Sequence, residues 1–142
     1  MDKLNGLEQL RELMNTGEQA PIAKTLGFTL VEISDGCAVL AGEPDERTYN
    51  PLGSVHGGYT ATLLDSACGI ATHSKLAPGQ AYTTLELKVA YHRGMTADTG
   101  PVRAVGKVIT FGRRVAFAEA KLTDATGRLI ASATSTRLVF AT

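Results

Sequence analysis

Between Arg47 and Lys75 the chain carries one residue of the Asp, Glu, Lys and Arg set, Asp65. The stretch from about His56 to Ser74 is rich in Ala, Leu, Gly and Ile and shows no strand alternation, and the turn signal Asn50-Pro51-Leu52-Gly53 precedes it. A helix over these residues is apolar nearly all round, so it has to be enclosed by the rest of the protein. The remaining segments supply the enclosure. FTLVEIS and CAVLAG, around Asp35-Gly36, read as a hairpin over 28–42. After a turn at Pro78-Gly79, Leu85, Leu87, Val89 and Tyr91 alternate with Glu86, Lys88 and His92, the pattern of a half-buried strand. Further strands run to Phe111, from Arg114 to Thr123, and from Arg128 to Phe140, separated by Gly112 and the hairpin loop Asp124-Ala125-Thr126-Gly127. One buried helix and a run of antiparallel strands combine as a curved sheet wrapped around the helix, an α+β architecture.

Ahead of this, Leu4, Leu7, Leu10, Leu13 and Met14 recur at helical spacing after a capping candidate, Asp2, with Asn15-Thr16-Gly17 as a stop. This predicts an amphipathic surface helix over 2–15. The whole chain of 142 residues is expected to be one domain, a 1–27 helical extension on a 28–142 core. Acidic residues near the start argue against a secretory signal, and no apolar run is long enough to span a membrane. The two cysteines, Cys37 and Cys68, match no metal or disulfide pattern and read as small core residues. A cytoplasmic protein is expected, with no metal and no membrane or nucleic-acid partner.

The net charge of zero is uneven along the chain. Residues 1–66 hold ten acids and four bases, and residues 67–142 hold four acids and ten bases. The basic half either solvates a sheet face or offers cations to a phosphorylated ligand.

Chemistry concentrates at the start of the buried helix. In Gly53-Ser54-Val55-His56-Gly57-Gly58, the two glycines fall in the first helical turn, where backbone N–H groups lack partners and the positive end of the dipole lies. Such an end can polarise a carbonyl and hold an oxyanion; alternatively, the glycines only permit a tight loop-to-helix junction. Asp65 is costly to bury without hydrogen-bond partners, so it is either a reactive carboxylate or a structural one capping a neighbouring loop. It follows His56 by nine positions, which rotates it by roughly 180° and displaces it by about 13 Å along the axis. A site using both the carboxylate and the helix-end donors must draw them from two chains of a two-fold dimer. His56 shapes the pocket or serves structure, and His73 and His92 lack partner spacing.

Asn50, the run Gly-x-x-His56-Gly57-Gly58, Asp65 and the strand Thr83-Thr84-Leu-Glu-Leu-Lys-Val-Ala-Tyr91 together resemble the hotdog-fold acyl-CoA thioesterases, in the branch named for phenylacetate degradation. The likeness runs from about Phe28 to Val139, through Gly112-Arg113-Arg114 and Asp124-Ala-Thr-Gly127. It implies a five- or six-stranded sheet around one long central helix, joined across a homodimer or dimer of dimers. It implies that Asp65 acts on the thioester as nucleophile or general base and that the Gly57 N–H holds the carbonyl oxygen. Asn50 would position the reacting groups, His56 would touch the thioester or shape its pocket, and Thr84 would assist the attacking water. Gly58, Arg93, Arg113 and Arg114 are expected to face the coenzyme A part of the substrate, because guanidinium groups suit phosphates. Coenzyme A belongs to the substrate, so no separate cofactor is expected. The acyl group is expected to be aryl or medium-chain, with Tyr59, Leu63, Leu64 and Tyr82 either lining its pocket or filling the core. A non-catalytic acyl-CoA sensor on this fold would lack the carboxylate and usually carries a DNA-binding segment; a hotdog dehydratase would want a His and a carboxylate poised on one substrate.

Overall fold

The computed structural model describes residues 3–142. Two helices, α1 (Gly6–Thr16) and α2 (Pro21–Leu26), precede the hairpin β1 (Phe28–Ser34) and β2 (Cys37–Gly42). The central helix α3 (Gly57–His73) is followed by β3 (Gln80–Tyr91), β4 (Val102–Phe111), β5 (Val115–Asp124) and β6 (Leu129–Ala141). All six strands form one antiparallel sheet in the order β1-β2-β4-β5-β6-β3. The sheet wraps α3, giving the hotdog fold.

The close fit of helix and sheet has a plain chemical origin. The concave face of the sheet is lined with small residues, including Ala38, Ala104, Ala116, Ala118, Ala120, Ala131 and Ala133, all buried. At Gly106 of β4 a β-carbon would fall 2.2 Å from the Ala67 carbonyl oxygen of α3, so glycine is needed for this approach. Leu63, Leu64, Ala67 and Cys68 fill the space between, each fully buried, and Tyr59 joins them. Tyr59, Leu63 and Leu64 therefore serve the core. Burial pushes the Tyr59 phenol up to about 12 and the Cys68 thiol up to about 11, so neither is a ready nucleophile. Cys37 is only half-buried.

The N-terminal extension departs from the sequence expectation in two respects. The helix starts at Gly6, because Asn5 and Glu8 form a reciprocal capping box; the expected start at Asp2 lies outside the described residues. A second short helix, α2, opens on Pro21 and closes on Gly27, too short for periodicity to reveal. The alternating strand also differs. It begins at Gln80 and carries a bulge between Thr84 and Glu86, which turns Leu85 outward to 56% exposure. β3 is also an edge strand, paired with β6 alone among the described residues, which leaves Tyr91 exposed as well.

Candidate active site

The first part of the site is built by local chain. Asn50 Oδ1 accepts from the Leu52 and Ser54 N–H groups, and Asn50 Nδ2 donates to Ser54 Oγ. These bonds close the 50–54 turn that delivers the chain to α3. His56 then caps the helix, its Nδ1 accepting from the Gly58 N–H at 2.7 Å. An accepting Nδ1 places the proton of the neutral ring on Nε2. With the Gly58 donor taken, the Gly57 N–H is the one that finds no partner among the described residues. Its carbonyl accepts from Tyr91 Oη at 2.8 Å, which ties the first turn to the end of β3. An opening of about 280 Å³ lies at this helix end, lined by Gly57, Tyr91, His92 and Arg93 among others. The helix dipole and one free N–H thus meet in a space that can receive a carbonyl oxygen.

The second part is built across the fold. Asp65, eight residues and about 12 Å further along α3, has a side chain that is 43% exposed. Thr84 Oγ1 donates to its Oδ1 at 3.3 Å, so β3 and α3 bring together two of the residues expected in the site. The third member, Arg137 of β6, was not expected. Its side chain is 2% exposed, and it donates from Nη2 to Asp65 Oδ1 at 2.7 Å and to the Asp65 carbonyl at 2.9 Å. Its Nη1 donates to Thr84 Oγ1 at 2.6 Å. The sequence expectation of a buried carboxylate is thus corrected: the side chain is half-exposed, and the hydrogen-bond partners that such a position calls for come from β3 and β6. A signal for Arg137 does exist: Ala131, Ala133, Ser135, Arg137 and Val139 alternate on the concave face, so the arginine occupies an inward position.

The remaining candidates are dispersed. The Arg93 N–H bonds to the Ile130 carbonyl at the start of β6, whereas the Arg114 carbonyl accepts from the Val139 N–H near its end. Nine strand residues separate these contacts, about 30 Å, so Arg93 and the Arg113-Arg114 pair do not form one cluster on a single chain. All three side chains are exposed. Arg93 alone lines the Gly57 opening. His92 contacts Ser132 Oγ through Nε2, and His73 contacts Gln9 Oε1. Among the described residues no three His, Cys, Asp or Glu side chains converge as a metal site would need.

A family model described as the thioesterase superfamily matches residues 52–131, more than half of the chain and the whole of α3 to β5. The chain belongs to this superfamily. It is 28% identical over 109 residues to a 1,4-dihydroxy-2-naphthoyl-CoA hydrolase of Listeria monocytogenes, an alignment covering 77% of this chain and 87% of the relative. Among solved structures, a thioesterase family protein from Silicibacter pomeroyi is 26% identical with a TM-score of 0.84, covering 97% of this chain and all of that one. A variant of the phenylacetic acid degradation protein PaaI from Thermus thermophilus is 28% identical with a TM-score of 0.76, covering 84% of this chain and 98% of that one. The likeness to the phenylacetate-degradation branch thus extends beyond the motif to the fold.

Proposed function

We propose that the protein hydrolyses an aryl- or medium-chain acyl-CoA thioester to the free acid and coenzyme A in the cytoplasm, using Asp65 and the Gly57 N–H from opposite chains of a dimer. The observation that carries this reading is the pair of half-sites on α3: a free backbone donor at its positive end, and an oriented carboxylate about 12 Å along its axis. One thioester carbonyl cannot touch both on one chain.

Two features support a second copy of this chain as the missing half. The edge of β3 is unpaired over its length among the described residues. Beside it, Ala61, Thr62, Asp65 and Ser66 form a half-buried stripe on α3. Antiparallel pairing of two β3 edges continues the sheet and sets the two helices side by side. It also brings opposite ends of the two sheets together, which places Arg93 of one chain on the same side as Arg113 and Arg114 of its partner. The three arginines then act together on the coenzyme A phosphates, with Gly58 leaving room for the ligand through its lack of a side chain.

The chemistry needs little machinery, because a thiolate leaves readily. With Asp65 as general base, water adds to the carbonyl carbon while its proton passes to the carboxylate. The Gly57 N–H and helix dipole hold the developing oxyanion, and the C–S bond then breaks with its electron pair going to sulfur. With Asp65 as nucleophile, the carboxylate itself adds and expels the thiolate, and water hydrolyses the resulting anhydride. Asn50 acts through the turn that it closes, and His56 acts by capping the helix and presenting Nε2–H beside the oxyanion position. The test is a hydrolysis screen across acyl chain lengths and aryl-CoAs, read as released thiol. Saturable release with one acyl class supports the reading, and absence of turnover with every class rejects it.

A further inference from the structure

Arg137 is the one fully buried charged side chain among the described residues, and it reaches the reacting half-site from 72 positions away. A tie between helix and sheet is the simplest account of it. An ion pair whose guanidinium is buried and whose carboxylate is half-exposed is a weak stabiliser, however, since desolvation of the cation offsets much of the attraction and water screens the anion. The directions of the hydrogen bonds say more. A guanidinium has donors only, so Thr84 Oγ1 must accept from Nη1 at 2.6 Å. The single Thr84 proton is then directed to Asp65 Oδ1 at 3.3 Å, where Nη2 also donates at 2.7 Å. Oδ1 holds both donors, and no partner is found for Oδ2 among the described residues. Gly69 is part of the same arrangement: a β-carbon there would lie 3.1 Å from both Arg137 Nη1 and Tyr82 Oη.

Building on the proposed role of Asp65, we propose that Arg137 is a positioning residue that fixes the carboxylate through Oδ1 and assigns the reaction to Oδ2. The same arrangement sets the manner in which Thr84 serves the water. Its proton is committed to Oδ1 and one lone pair to Arg137, so it meets water through its remaining lone pair, as an acceptor. A water donating one hydrogen to Oδ2 and the other to Thr84 Oγ1 turns its own lone pairs toward the thioester carbon. Loss of Arg137 frees the carboxylate to rotate and Thr84 to reverse, which disorders both water contacts at once.

The experiment compares kcat, KM and thermal melting for Arg137→Met and Arg137→Lys, each alone and with Asp65→Asn, on an acyl-CoA that the wild type hydrolyses. Expected is a fall in kcat of about 100-fold, the scale of a misplaced reacting group, with KM within about threefold because the substrate-facing groups remain. In the Asp65→Asn background, with residual turnover read at high enzyme concentration, either change should cost less than about twofold, since no carboxylate is left to position. A folded Arg137→Met enzyme with kcat near wild type overturns the proposal, as does an equal fractional loss in both backgrounds, which marks a purely structural arginine. Should neither Arg137 variant fold, Gly69→Ala decides, because it keeps every polar group and presses on Arg137 Nη1 and the Tyr82 hydroxyl, with Tyr82→Phe as the control for the second contact: a lower kcat at constant KM in both the wild-type and the Tyr82→Phe backgrounds supports the proposal, and an unchanged kcat overturns it. Wild-type turnover by Asp65→Asn alone would instead reject the catalytic role of Asp65, a result separable from the fate of Arg137.

Discussion

The two half-sites on α3 are assembled in opposite ways. At the helix end, the 50–54 turn, the His56 cap and the first-turn glycines all lie within nine consecutive residues, and local hydrogen bonds hold them. At Asp65 the partners are 19 and 72 positions away, and only the completed sheet brings Thr84 and Arg137 to the carboxylate. The first half presents backbone, which substitution cannot easily remove. The second presents side chains, each replaceable. A donor that has only to point at a carbonyl oxygen can be made by main chain, whereas a carboxylate that must react through one oxygen needs neighbours on more than one element.

The largest effect is expected on the side-chain half. Asp65→Asn should fold, since the amide keeps the shape, and should lower kcat by about 10²–10⁴-fold, the scale of a lost acid–base group. Unchanged turnover by the folded variant in a released-thiol assay would remove Asp65 from the mechanism.

The backbone half can be broken by Gly57→Pro. Proline is tolerated at the first helical position, and His56, at φ −61° and ψ 137°, already has the extended conformation that precedes proline. The change deletes the free N–H and should cost about 10²–10³-fold in kcat, the range for one oxyanion donor. Mixing this protein with Asp65→Asn tests whether the halves come from different chains. A random mixture makes half of the dimers mixed, each with one intact site, so activity should recover to about a quarter of wild type. No recovery after verified subunit exchange would place both halves in one chain.

A smaller effect is expected where the ligand meets exposed charge. Arg114→Ala should raise KM for an acyl-CoA by about two- to fivefold, in line with exposed ion pairs, and leave kcat nearly unchanged because the nucleotide binds alike in ground and transition states. A short thioester lacking the nucleotide should be unaffected. Equal losses on both substrates would assign Arg114 to the fold.

The same contrast explains what was legible in the sequence. The central helix, the 28–42 hairpin and the later strands follow from local pattern and turn chemistry, and the structure contains them. The turn and the glycine-rich start of α3 were readable because their residues are contiguous. For Asp65 the sequence shows an isolated charge, while Thr84 entered only through family resemblance. Arg137 sits in a strand whose other inward residues are small or apolar, and nothing local says that it meets Asp65. The outward turn of Leu85 depends on a bulge set by pairing with β6, which alternation alone cannot reveal. The start of the first helix moved because the Asn5–Glu8 pair satisfies both cap donors.

The smallest effect concerns the junction between α1 and the far end of α3, away from both half-sites. His73 Nε2 contacts Gln9 Oε1 at 2.8 Å, and the ring stands edge-on to Tyr82 with centroids 5.8 Å apart. Burial holds its pKa below the ordinary histidine value, so the folded state favours the neutral ring. Above about pH 6.5, the unfolded value, both states are neutral and the junction contributes its full stability. As pH falls below that, the unfolded chain takes up the proton first, and stability declines until the pH passes the lowered folded value. His73→Gln keeps a polar side chain but removes this titration, and the other histidines, common to both proteins, cancel in the comparison. The difference in unfolding free energy between wild type and His73→Gln should be flat above about pH 7 and should shift against wild type as the pH falls below about 6.5. Denaturant titrations across this range measure it, and a difference independent of pH would show that the ring is not held neutral by its burial. Since the junction touches neither Asp65 nor Gly57, kcat at a mildly alkaline pH should be the same in both proteins.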